Sequence, residues 1–112
     1  MEARLASSVL VSALLRRCES EGGFGAVLAK GDPTAGAIAV ILAEMGRKTC
    51  FLERLLQPSG TYAWQSARQD VENEQDFQKF LDRRRQFDRD LWILELDIPS
   101  AERFAAEMNE SG

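Results

Sequence analysis

Three groups of side chains in this sequence are of types that could do chemistry. Arg16-Arg17 closes an apolar stretch, Arg83-Arg84-Arg85 is a second basic run, and Asp88, Asp90, Glu95 and Asp97 set four carboxylates close together. Guanidinium groups bind small anions and nucleotide phosphates through forked N–H donors. Carboxylates on a turn can hold a magnesium ion with waters, or serve as general acid and base. Each group also has a plainer role. Arg17 shares a helical stripe with Leu10, Ala13 and Leu14, so its head must either reach water or meet a carboxylate. Arg84 lies seven positions after Phe77, on the stripe of Phe77, Phe80, Leu81 and Phe87. Asp88, one turn later, is its nearest predicted partner, and Asp32 is a more distant one. Asp88 and Asp90 also suit a turn, where short carboxylates bond the local backbone. The sequence therefore nominates Arg16, Arg17, Arg84, Asp32 and Asp88 as an anion or ion-pair site.

Histidine is absent. Ser-His and Cys-His catalytic pairs and His-bearing zinc sites are excluded with it. Cys18 and Cys50 are the only cysteines, too few for a four-thiolate metal centre. Both are expected to be reduced and structural, Cys18 beside the negative end of a helix where a thiolate is disfavoured. The loop Gly31-Asp32-Pro33-Thr34-Ala35-Gly36 is bounded by glycines, but Lys30 precedes it and no Gly-Lys-Thr/Ser follows, so it is not a P-loop. It reads as a hairpin or bulge connection. No catalytic residue, cofactor or metal-ligand set is assigned.

Certain fragments resemble a known family. They are Val11, Ala13 and Leu15-Arg16-Arg17-Cys18; Gly31-Asp32 with Ala35-Gly36; and Arg83-Arg84-x-x-Phe87-Asp88-x-Asp90-Leu91-Trp92-x-x-Glu95. Together they are similar to the small bacterial family called domain of unknown function 1491, over roughly residues 3 to 97. The third fragment is the most specific. The resemblance implies a small bacterial cytoplasmic protein and carries no functional residue with it.

The elements that must position these groups follow from periodicity and punctuation. A helix is predicted over about Val11–Ser20, with a possible strand at Leu5–Leu10 before it, and Gly22-Gly23 ends it. Four strands in a meander are predicted at Phe24–Lys30, Gly36–Glu44, Lys48–Leu55 and Thr61–Ser66. The second is almost continuously apolar, as for a strand covered on both faces. Asn73 suits the cap of a second helix, with Glu74 and Asp76 in its first turn. Leu91–Leu96 is a fifth strand with Trp92, Leu94 and Leu96 on its core side. Pro99-Ser100 breaks and caps a short last helix of Ala101, Phe104, Ala105 and Met108, and the chain frays from Asn109.

The chain has 112 residues, 45% of them apolar and 29% charged, which suits one domain with one core. No apolar run approaches the roughly 20 residues of a membrane helix, and the N-terminus lacks the pattern of a signal peptide. The net charge of −4 divides into +2 over residues 1–68 and −6 over residues 69–112. The acidic half repels nucleic acid and anionic membrane.

The expected fold is α+β: an antiparallel sheet of about five strands, with two or three helices mostly on one face. A sheet covered on one face would leave the other for a second protomer, so a homodimer is expected. The leading functional expectation is a non-enzymatic binding or assembly module. The alternative is a small-anion or nucleotide-binding protein using the arginines, and a carboxylate-based enzyme comes third.

Overall fold

The computed structural model describes residues 5–68 and 73–110. Their order is α1 (Ser7–Ser20), β1 (Phe24–Ala29), β2 (Ile38–Glu44), β3 (Arg47–Leu56), β4 (Tyr62–Arg68), α2 (Glu74–Phe87), β5 (Trp92–Asp97) and α3 (Ala101–Glu110). Residues 69–72 of the acidic segment Gln69–Gln75 lie outside the described residues, and Glu74 and Gln75 begin α2.

The five strands form one sheet in the order β1-β5-β2-β3-β4. It is mixed. β1 with β5, β2 with β3 and β3 with β4 are antiparallel, and β2 with β5 is parallel. The expected purely antiparallel sheet and four-stranded meander are thus corrected: only β2-β3-β4 is a meander, and β5 separates β1 from β2. The cause lies in Leu91–Leu96. Trp92, Leu94 and Leu96 bury on one face while Leu91 and Ile93 bury on the other. A strand apolar on both sides is most stable in the middle of a sheet. The chain therefore crosses back through α2 and inserts β5 beside β2. β2 itself is central, and six of its seven residues are buried.

Helices cover both faces, not one. Val11 and Cys18 of α1 and Phe104 and Met108 of α3 pack with Val40, Leu42, Leu52, Trp64, Trp92, Leu94 and Leu96. Phe77 and Leu81 of α2 pack on the opposite face with Ala39, Ile41, Phe51, Leu91 and Ile93. Phe51 meets Phe77 and Phe80 edge-to-face, with ring centroids 5.7 and 5.3 Å apart. The cover expected from a second protomer is supplied by α2.

Local chemistry explains the helix ends. α1 begins at Ser7, so most of the possible strand at Leu5–Leu10 is helix instead. Its first amides are satisfied from the 31–36 loop: Ser7 N–H donates to the Thr34 carbonyl and Ser8 N–H to that of Pro33. Gly22, at φ +87°, ends α1, and Gly23 N–H returns to the Cys18 carbonyl in a Schellman arrangement. Asn73 caps α2 as its sequence predicts, its side chain accepting from Asp76 N–H. At α3, by contrast, the Glu44 carboxylate of β2 accepts from Ala101 N–H at 2.6 Å. Asn109, where fraying is expected, lies within α3. Its amide accepts from Trp64 N–H and donates to the Trp64 carbonyl, at 2.8 and 3.1 Å.

Candidate functional site

The structure separates the nominated residues. Arg16 is exposed on α1. Arg17 lies between α1 and α3, paired with Glu107 at 3.0 Å and Glu21 at 3.5 Å, its guanidinium 5.0 Å from the centre of the Phe104 ring. It therefore bridges two helices on one face of the sheet. Arg84 belongs to α2 on the other face. The sheet stands between the two arginine groups, so they line no common pocket.

Arg84 does turn toward the sheet, as its spacing predicts, but its partner is Glu53 of β3. Asp88 ends α2: its N–H bonds the Arg84 carbonyl, and its carboxylate accepts from Asp90 N–H. Glu53 escapes local sequence reasoning because it lies 31 positions from Arg84. Its one legible sign is a carboxylate two residues after Phe51, on the same face of a strand. Phe87, expected on the inward stripe, is 85% exposed. It is the last residue of α2, seven positions after half-buried Phe80.

Asp32 is a backbone organiser. Its carboxylate accepts from Thr34 and Ala35 N–H at 3.2 and 2.8 Å. Its own N–H donates to the Asp90 carbonyl, and its carbonyl accepts from the Trp92 indole N–H at 2.7 Å. The glycines that bound this loop face the same Asp90 carbonyl, and a Cβ at either would collide with it. The Ser7 hydroxyl closes the junction by donating to the Gly36 carbonyl at 2.6 Å. The second and third family-like fragments thus meet as a backbone joint between the 31–36 loop, the 88–91 turn and the start of α1.

Asp97 and Glu95 are engaged as well. Asp97 accepts from Met45 and Gly46 N–H at the β2–β3 turn, and Glu95 lies 4.0 Å from Lys48. Met45 and Gly46 both have positive φ, 51° and 83°, as a tight two-residue hairpin requires. Both thiols are free. Cys18 is fully buried, and burial foremost, then Asp97, Glu19 and Glu21, pushes its pKa up. Burial also raises Cys50. Neither is a poised nucleophile.

The Arg84–Glu53 pair has a measurable role. The Arg84 side chain is 34% exposed and that of Glu53 only 13%. Arg84→Ala strands a mostly buried carboxylate, a loss of about 1–3 kcal/mol after allowance for the exposed arginine. Replacing both residues by leucine is expected to recover most of it. Urea denaturation of the three proteins measures this. Phosphate is expected to leave the melting temperatures of wild type and Arg84→Ala equally unchanged.

What the described surface leaves open is the β1 edge. Phe24, Val27 and Leu28 are 71%, 43% and 51% exposed. No charged residue lies between Glu21 and Lys30. β1 pairs only with β5, so the groups on its outer edge have no strand partner among the described residues. The opposite edge differs, since Asn109 occupies the backbone of Trp64 there.

A mixed five-stranded sheet with helices on both faces and an ion pair on each side of it defines a small α+β fold. The family model for proteins of unknown function DUF1491 matches residues 5–106, and the chain belongs to that family. Solved structures agree. A crystal structure of a DUF1491 family protein from Caulobacter crescentus CB15 is 28% identical, with a TM-score of 0.77, covering 88% of this chain and 92% of that one. An NMR structure of a DUF1491 family protein from the same organism is 27% identical, with a TM-score of 0.76 over 89% and 91%. The solution structure of a protein from A. tumefaciens is 33% identical, with a TM-score of 0.72 over 88% and 89%. None of the curated proteins compared matches the chain. Among the described residues no helix is long and apolar enough to cross a membrane.

Proposed function

We propose that this protein is a non-enzymatic binding module whose binding element is the outer edge of β1, which takes up a further polypeptide strand. The carrying observation is the edge itself: six residues, Phe-Gly-Ala-Val-Leu-Ala, without charge or proline, with Phe24, Val27 and Leu28 exposed. Edge strands of soluble proteins are usually blunted by charge, proline or cover, because their free N–H and C=O groups template pairing. Main-chain hydrogen bonds would supply the affinity and the exposed apolar side chains its selectivity.

A capped alternating Thr-Val hexapeptide is a suitable generic strand. In an NMR titration it is expected to shift amides of β1 and the adjoining β5, and to leave α2 and β4 unchanged. Millimolar peptide without effect on β1 would overturn the reading.

A further inference from the structure

Resting on that reading, we infer that the strand taken up at β1 is the β1 of a second copy, so that two sheets join edge to edge as an isologous dimer. Four features converge on this occupant. The first is shape. The ladder irregularity between Val27 and Ala29 limits regular pairing to the start of β1. A two-fold axis through Ala26, normal to the sheet, sets Gly25 opposite Val27 and, at the margin of regular pairing, brings Phe24 toward Leu28. A glycine then faces a branched side chain, and the two most exposed large apolar residues of the strand cover each other.

The second feature is charge. β1 is preceded by Glu19 and by Glu21, whose carboxylate is already held by Arg17 and Arg103, and followed by Lys30. Antiparallel self-pairing brings the basic end of each strand to the acidic start of the other, at both ends of the interface. Parallel pairing would set like against like. The uncharged interior offers a charged peptide nothing to recognise, which favours an identical strand over an acidic or basic partner.

The third feature is closure. A second open edge would allow filaments, because a head-to-tail contact does not close. Here Asn109 bonds the backbone of Trp64 and obstructs the β4 edge. One usable edge gives a dimer and stops there. The fourth is flank. α1 lies along β1 and backs one face of it, so a strand added at the edge lies beside an ordered helix. The net charge of −4 opposes association only weakly, since charges beyond about 8 Å are screened at physiological salt.

Sedimentation equilibrium of the full chain from about 5 to 500 μM, a range bracketing moderate affinity, tests this together with amide hydrogen exchange at both ends of that range. The expected result is a monomer–dimer equilibrium, with slower exchange in β1 at high concentration. Val27→Lys is expected to weaken dimerisation at least tenfold, and Lys30→Glu to weaken it several-fold. If Val27→Lys fails to fold, Lys30→Glu and exchange in the wild type carry the test. A wild-type monomer throughout, a dimer protected elsewhere than β1, or species larger than a dimer each overturn the inference. If the chain stays monomeric but the Thr-Val peptide binds β1, the edge accepts strands other than its own. If neither associates, the binding reading fails as well.

Discussion

Gly36→Ala is expected to destabilise the protein by about 3 kcal/mol or more, among the larger effects a single methyl group can have. Gly36 lies where three backbone segments converge, and its new Cβ would meet the Asp90 carbonyl oxygen and the Asp32 backbone. These are main-chain atoms that cannot rotate away as a side chain would. The segments are also held from other directions. Asp32 N–H bonds the Asp90 carbonyl, the Trp92 indole bonds that of Asp32, and Ser7 bonds that of Gly36. Relief of the clash must break at least one of these. For a chain of this size the melting temperature should fall on the order of 10 °C. Gly31→Ala pushes on the same carbonyl, so the double variant is expected to lose less than the sum of the two singles. Thermal melts of the three proteins measure both points. A melting temperature within 2 °C of wild type, a threshold on the order of a small surface effect, would show that the joint yields.

Phe51→Ala is expected to cost about 3–5 kcal/mol. Phe51 is fully buried at the centre of the α2 face and holds both Phe77 and Phe80 edge-to-face. Its removal opens a cavity between β3 and α2, and two aromatic partners lose a ring as well as area. The contrast is Phe87→Ala. Phe87 is the same residue type and closes the same helix, yet it is exposed, so its loss is expected to stay within about 0.5 kcal/mol. The urea midpoints of the two variants, at unchanged slope, give the comparison directly. A costly Phe87→Ala would mean that the end of α2 packs against something in solution.

The sequence by itself determined those features whose physics is local. Asn73 announces its helix, because a short side-chain acceptor before acidic residues has one obvious use. Gly22 ends α1 because the chain needs a positive φ there. The continuous apolar run of β2 puts that strand in the centre, since only a central strand has both faces covered. Absent histidine removes whole classes of catalysis without reference to any fold. The family, too, was legible in three short fragments, although what those fragments do was not: two of them prove to be halves of one backbone joint.

Tertiary structure decided the rest, and for one recurring reason. Periodicity fixes which face of an element is apolar but not which element meets it. β5 could follow the meander or enter it, and the buried demands of Leu91 and Ile93 sent it between β1 and β2. Arg84 was rightly turned toward the sheet, yet Glu53 reached it from a strand that no helical offset names. Glu44 replaced the expected local cap of α3 in the same way. The two arginine groups looked like one site along the chain. A sheet between them makes them two separate clasps, because charges cooperate only across distances that the fold allows.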